Sequence, residues 1–280
     1  MKNPYSQIIK QALAEDIGSG DHSSNCAIPT SAQGQMQLIV KEDGILAGVE
    51  VARAVFAEVN PAIQFEKLLD DGAMVKKGDI AFYITGPIRA MLQGERIALN
   101  LMQRMSGIAT YTNSLVQLIS HTNCRLLDTR KTTPNLRIIE KEAVLIGGGH
   151  NHRFGLYDMV MLKDNHVDFA GGVSAAVSKA KEYLAKNNLS IPIEVETRNF
   201  KEIEELLAST GVQRVMFDNF SVADTLKAVQ LVNGRLETES SGGINEQTLR
   251  AYAETGVDFI SVGALTHSVK GLDMSLKSKL

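Results

Sequence analysis

The chain has 280 residues, 44% of them hydrophobic and 22% charged, a globular balance that excludes a disordered or fibrous protein. Its net charge of −3, with no Trp and 5% aromatics, gives neither the basic excess nor the stacking surface of a nucleic-acid binder. No apolar run approaches the roughly 18 residues of a membrane span, and the opening MKNPYSQIIKQALAEDIG is a charged helical pattern without the apolar stretch of a secretory signal.

In chain order, a helix is expected over 5–15, followed by a Gly/Asp/Ser loop, GSGDHSSN. Two alternating apolar stretches follow, QMQLIVKEDGILAG and AIQFEKLLDDGAMVKKGDIAFYIT. With the turn pairs Asp43-Gly44, Asp71-Gly72 and Gly78-Asp79, they predict antiparallel strands in an α+β domain. A helix over 94–120 leads into the second half, with Gly107 as its joint. There, short β-branched runs recur: CRLLD (124–128), DMVMLK (158–163), IPIEVE (191–196), QRVMFD (213–218), RLETES (235–240) and DFISVG (258–263). Helical segments separate them, among them 200–208, 221–232 and one over 135–146 that stops at Gly147-Gly148-Gly149. Alternating strands and helices predict βαβ units and a parallel sheet. The strand ends Glu196, Asp218, Ser240 and Gly263 are 22, 22 and 23 residues apart, which fits a wound barrel better than a doubly wound open sheet.

In a parallel barrel, chemistry sits at the C-terminal ends of the strands. Solvation accounts for any one charged strand end; six successive ends carrying charged or small polar groups point to a site. Arg130, Lys131, Arg153 and Lys163, with His152 beside them, form a cationic set that calls for a ligand with several negative charges. Glu196 and Asp218 suit ribose hydroxyls or a Mg²⁺ ion. Ser240-Ser241-Gly242-Gly243 and Val262-Gly263-Ala264 let backbone N–H groups approach an oxygen-rich ligand, with the helix INEQTLRAYAE starting just beyond; a tight turn is the plainer reading of the glycines.

Other features read as structural. Cys26 and Cys124 stand far apart without further ligands at metal spacing, which argues for a reducing, cytoplasmic compartment. The His-x-His of GGGHNHR lacks a third ligand for zinc. Asn135 suits a left-handed turn and a cap for the next helix. Met91, Met102, Met105, Met159 and Met161 are expected to pack in the core.

EDIGSGD (15–21), GERIALNLMQRMSGIAT (94–110), DTRKTTPNLR (128–137), GGGHNHRFGLYDMVMLKDNH (147–166), EVET (194–197), FDNF (217–220), ESSGGI (239–244) and SVGALTHS (261–268) together resemble the quinolinate phosphoribosyltransferase family. The likeness runs essentially the full length. Asn135, where glycine is usual, and Phe217, where an aliphatic residue is usual, depart from the family pattern.

The resemblance implies an α/β protein with the type II phosphoribosyltransferase fold. An N-terminal α/β sandwich domain would span 1–106 and an incomplete parallel α/β barrel 107–266, with 267–280 returning to the first domain. It implies transfer of phosphoribosyl from 5-phosphoribosyl-1-pyrophosphate to quinolinate with decarboxylation. The products would be nicotinate mononucleotide, pyrophosphate and CO2, in de novo NAD biosynthesis. Carried over, Arg130, His152 and Arg153 would hold the carboxylates of quinolinate, with Thr129 alongside and Lys131 and Lys163 near carboxylates and pyrophosphate. Glu196 and Asp218 would bind the ribose and the Mg²⁺-bound diphosphate, and together with Lys163 would be catalytic. Ser241, Gly242, Gly243, Val262, Gly263 and Ala264 would surround the phosphates. The family acts as a homodimer in which Arg96 would reach the partner's site; a surface helix charge is the plainer reading of Arg96. Rival readings are a ModD-like sister phosphoribosyltransferase, a Schiff-base lyase using Lys163, and a non-catalytic sensor of phosphorylated ligands.

Overall fold

A computed structural model describes residues 4–279. They form two compact units, one within 4–113, 132–148 and 265–279, the other of Ser114–Lys131 and Gly149–Ala264.

The first unit opens with α1 (Ser6–Ile17), which buries Ile9 and Leu13, one turn apart. The segment expected as a loop contains a short helix, α2 (His22–Ala27), because the Asp21 side chain caps it by accepting the Ser24 N–H at 3.0 Å. Strands β1 (Gln33–Val40) and β2 (Gly44–Ile45) precede a helix absent from the sequence reading, α3 (Val49–Val59). Its signal is the helical spacing of Val49, Ala52, Val55 and Phe56, all buried. Strands β3 (Gln64–Lys67), β4 (Met74–Val75) and β5 (Ile80–Pro87) follow. β1 buries Met36, Leu38 and Val40 at period two. It lies between β5 and the C-terminal strand Met274–Ser278 in an antiparallel sheet whose outer strand is β3. Phe56, Phe65 and Phe82 stack on its apolar face, with ring centroids 4.4 Å apart for the closest pair.

Helix α4 (Ile88–Ile119) runs unbroken through Gly107. The expected joint is a packing point instead: a Cβ at Gly107 would lie 2.2 Å from the carbonyl oxygen of Lys270.

From β6 (Arg125–Leu127) the chain returns to the first unit for α5 (Arg137–Ile146). This helix begins two residues later than expected. Asn135 is left-handed (φ 67°), as its residue type suggested, but Leu136 holds the cap position without a side-chain bond. The Thr133 N–H is met by Glu140 Oε2 at 3.1 Å instead.

The second unit continues with β7 (Val160–Leu162), α6 (Asp164–Ala170), α7 (Val173–Lys186), β8 (Ile193–Thr197), α8 (Phe200–Leu207), β9 (Arg214–Asp218), α9 (Val222–Val232), β10 (Glu237–Ser241), α10 (Leu249–Ala253) and β11 (Phe259–Ser261). Asn199 and Ser221 cap α8 and α9 through their side chains. All six strands are parallel, in the order β6-β11-β10-β9-β8-β7. Strands β7 to β11 thus follow sequence order and β6 closes beside β11, the winding of a barrel. β6 and β7 do not pair; a lone parallel bridge from Leu127 to His150 borders the opening, so the barrel is incomplete. Helix α10 starts at Leu249, well beyond Gly243, so the expected helix start beside the glycine turn is not there.

Candidate active site

Parallel strands put their C-terminal ends on one rim. Asp128 follows β6, Lys163 follows β7, Glu196 is next to last in β8, Asp218 ends β9, Ser241 ends β10 and Val262 follows β11. One unit therefore holds Thr129, Arg130, Lys131, His152, Arg153, Lys163, Glu196, Asp218 and both small-residue turns. Arg96 belongs to the other unit, exposed on α4.

Lys163 caps α6. Its N–H donates to His166 Nδ1 at 3.0 Å, and its ammonium donates to Glu196 Oε2. That pairing fixes the direction of a lysine that is 43% exposed against a carboxylate that is 9% exposed. Next along the rim, Asn219 takes a left-handed conformation (φ 55°), donates from Nδ2 to Asp218 Oδ2 at 3.0 Å and passes its N–H to the Ser241 carbonyl at 2.9 Å. Gly242 (φ 101°) completes this junction, since a Cβ there would stand 2.2 Å from Asn219 Oδ1. A Cβ at Gly243 would meet nothing within 4 Å, so the turn opens onto free space. The Val262 N–H is committed to the Leu127 carbonyl at 3.0 Å and belongs to the sheet.

Arg130 and Lys131 are exposed, and the Lys131 N–H donates to Thr129 Oγ1 at 3.0 Å. Arg153 is half-buried, donating from Nη1 to the Met159 carbonyl at 3.2 Å. Burial, and then the charge of Arg130, hold the Arg153 pKa below its ordinary value. Two guanidinium groups that repel each other are stabilised by an anion between them. Arg153 also borders a groove of about 780 Å³, lined mainly by Leu156, Met159, Met161 and Phe169. Met91, Met102 and Met105 pack in the core as expected, whereas Met159 and Met161 face this groove.

His152 lies within the barrel. Its Nε2 is 3.0 Å from Glu194 Oε2 and 3.5 Å from Glu239 Oε2, its Nδ1 accepts the Arg153 N–H at 2.7 Å, and its own N–H donates to Asp128 Oδ1 at 2.8 Å. Arg214 adds a cation 3.2 Å from Glu239 Oε2. Burial opposes a charge on the imidazole, but Glu194 and Glu239 outweigh it and push the His152 pKa up to about 9. Burial and the Glu239 charge likewise raise Glu194. Nδ1 accepts the Arg153 N–H, which leaves Nε2 as the ring nitrogen that faces the two carboxylates.

Sequence reasoning missed Glu194, Glu239 and Arg214. Their signal was carboxylates two residues apart in IEVET and ETESS, strands whose burial calls for apolar residues. His152, Glu194 and Glu239 bring donor atoms within 4.8 Å of one another. A resident cation fits poorly among them, because Arg214 already neutralises Glu239 and the His152 ring already bridges both carboxylates.

An open, singly wound α/β barrel whose rim sets cations against carboxylates and glycine turns defines a class of enzymes that hold oxygen-rich anionic substrates at the strand ends. Within that class, residues 21–106 match the family model for the quinolinate phosphoribosyl transferase N-terminal domain, and residues 108–277 match that for its C-terminal domain. The chain belongs to the quinolinate phosphoribosyltransferase family, and the fold expected from the sequence is the one observed.

It is 46% identical to the chloroplastic, carboxylating nicotinate-nucleotide pyrophosphorylase of Oryza sativa subsp. japonica, over 96% of this chain and 76% of that one. It is 40% identical to the probable carboxylating nicotinate-nucleotide pyrophosphorylase of Bacillus subtilis, over 96% and 92% of the two chains. The solved nicotinate-nucleotide pyrophosphorylase from Francisella tularensis superposes with a TM-score of 0.93 at 40% identity, covering 99% and 98%. Among the described residues, no helix is long and apolar enough to cross a membrane.

Proposed function

We infer that the protein is a carboxylating nicotinate-nucleotide pyrophosphorylase. It transfers phosphoribosyl from 5-phosphoribosyl-1-pyrophosphate to quinolinate and releases pyrophosphate and CO2, forming nicotinate mononucleotide for de novo NAD biosynthesis. The observation that carries this reading is the half-buried Arg153 under the charge of Arg130, on the same rim as the Lys163–Glu196 pair. A dicarboxylate supplies the anion those guanidinium groups call for, with the bidentate geometry that arginine favours.

In this reading Arg130 and Arg153 hold the two carboxylates, with Thr129 and His152 beside them and Lys131 at the outer edge. Glu196 and Asp218 hold the ribose hydroxyls. The turns at Ser241, Gly242 and Gly243 and at Val262, Gly263 and Ala264 surround the phosphates; the open space beside Gly243 supports this. Glu196 and Asp218 are hard oxygen donors at adjacent strand ends, the donor type Mg²⁺ prefers. Mg²⁺ bound there would neutralise diphosphate charge.

The bond from ribose C1 to the pyrophosphate oxygen breaks, and the pyridine nitrogen's lone pair attacks the resulting oxocarbenium-like carbon. The N-ribosyl pyridinium then draws electrons from the neighbouring ring–carboxylate bond, CO2 leaves, and the ring carbon takes a proton. The chain's contribution is alignment and fixed charge. Lys163 offsets carboxylate charge before CO2 departs.

The working unit in this reading is a homodimer, with Arg96 supplied to the partner's rim. Leu156, Tyr157 and Phe169, at 71%, 70% and 90% exposure, give the barrel unit an apolar face that a second copy would cover. The compartment is the cytoplasm, in keeping with the free Cys26 and Cys124. A Schiff-base lyase needs a desolvated lysine, whereas Lys163 is partly exposed and paired with a carboxylate.

The test is an end-point assay with quinolinate, 5-phosphoribosyl-1-pyrophosphate and Mg²⁺. Nicotinate mononucleotide and CO2 are expected in equal amounts. Neither product, with nicotinate tried in parallel, would overturn the reading in favour of a sister phosphoribosyltransferase.

A further inference from the structure

Branched aliphatic side chains ordinarily fill a parallel barrel. This one buries two carboxylates, Glu194 on β8 and Glu239 on β10, both at 0% exposure. Placing like charges side by side out of water is unfavourable unless they are compensated, and such groups are costly to keep without a purpose. Arg214 compensates one of them from β9, with its guanidinium stacked 4.0 Å over the Phe259 ring and Nη1 on Glu239. What both carboxylates reach is Nε2 of His152, whose side chain is 6% exposed.

The far side of that ring explains the arrangement. Nδ1 takes the Arg153 N–H, and Asp128 takes the N–H of His152 itself. With its two nitrogens engaged by the chain, the ring presents neither to the rim. His152 is an anchor between the barrel interior and the backbone of the half-buried Arg153.

We propose that Glu194 and Glu239 are positioning residues for the acceptor: they fix the His152 ring, and His152 fixes the Arg153 backbone, so that the Arg153 guanidinium meets the dicarboxylate. The role rests on the reaction proposed above. It shifts His152 from direct contact with the carboxylates to support of the residue that makes it.

The test uses the full-length protein with Glu194→Gln and Glu239→Gln, which keep side-chain volume and one acceptor oxygen while removing the charge. KM for quinolinate is expected to rise about tenfold, with kcat and KM for 5-phosphoribosyl-1-pyrophosphate within about twofold, the signature of a lost acceptor contact rather than of general damage. In NMR spectra recorded without substrate, the His152 Nε2 proton is expected to move upfield, as a close carboxylate neighbour becomes a neutral amide. An unchanged quinolinate KM in both variants overturns the proposal, and so does an unmoved His152 proton.

Should a variant fail to fold, His152→Asn serves instead, because its Oδ1 can take the place of Nδ1 on the Arg153 N–H. It is expected to keep a lower quinolinate KM than His152→Ala, and equal losses overturn the proposal. A wild-type protein inactive on quinolinate would remove the reaction, while the His152 proton would still decide the anchor.

Discussion

Lys163 is held from both ends: its amide donates to His166 and its ammonium to Glu196. Replacing it with alanine removes a rim cation paired with a buried carboxylate, while Arg130 and Arg153 stay in place. Lys163→Ala is expected to lower nicotinate mononucleotide formation by about 100-fold, the scale of a lost electrostatic contact to a developing charge. Quinolinate binding, measured by calorimetry, should persist; unchanged turnover would refute the role.

The His152 cluster makes a separate prediction. A histidine in the unfolded chain gives up its proton near pH 6.5, whereas the folded cluster keeps one until about 9. Between those values the native state binds more protons, so its stability is full below about 6.5 and fades as pH rises toward 9. The melting temperature should fall over that window, and Glu239→Gln should flatten the fall. Lys163 and Glu196 were legible in the sequence because each stands at the end of an apolar run. Glu194 and Glu239 were not, since a carboxylate inside a strand reads the same whether it faces solvent or the barrel axis.

Two glycines show what an element demands of its neighbours. Gly107 lies within α4, where nothing local calls for glycine; the Lys270 carbonyl does. Gly107→Val is expected to cost about 1–3 kcal/mol, the usual range for overpacking, seen as a lower melting temperature with activity per folded molecule retained. Gly242→Ala should do the reverse. Its Cβ would strike Asn219 Oδ1, and Asn219 holds Asp218, so activity should fall further than stability. An unaffected turnover would separate the glycine turn from the site.

The six parallel strands were readable from their apolar runs and even spacing. Helices α2 and α3 were passed over: one is a single capped segment among turn residues, and the other is an apolar stretch between alternating ones. Where α5 and α10 begin depended on Glu140 and on the turn at Asn245, which no local pattern announces.

At the scale of the assembled protein, the proposed homodimer has a direct test. Arg96→Ala and Arg153→Ala should each be inactive alone. If Arg96 serves the partner's barrel, random mixing makes half the dimers mixed, each with one intact site. Activity should then return to about a quarter of wild type. No recovery, with mixed dimers verified by native mass spectrometry, would place Arg96 outside the partner's site.

The sequence by itself determined the family, the parallel strands and the charged residues at their ends, because strand period, turn chemistry and motif spacing are properties of neighbours along the chain. The tertiary structure alone decided that β6 closes beside β11 to leave an open barrel, that Gly107 yields to a carbonyl more than 160 residues away, and that Glu194, Glu239 and Arg214 turn inward onto His152. Those outcomes depend on which strands lie side by side and which face each presents to the axis, and residues distant in sequence acquire that relation only when the sheet closes.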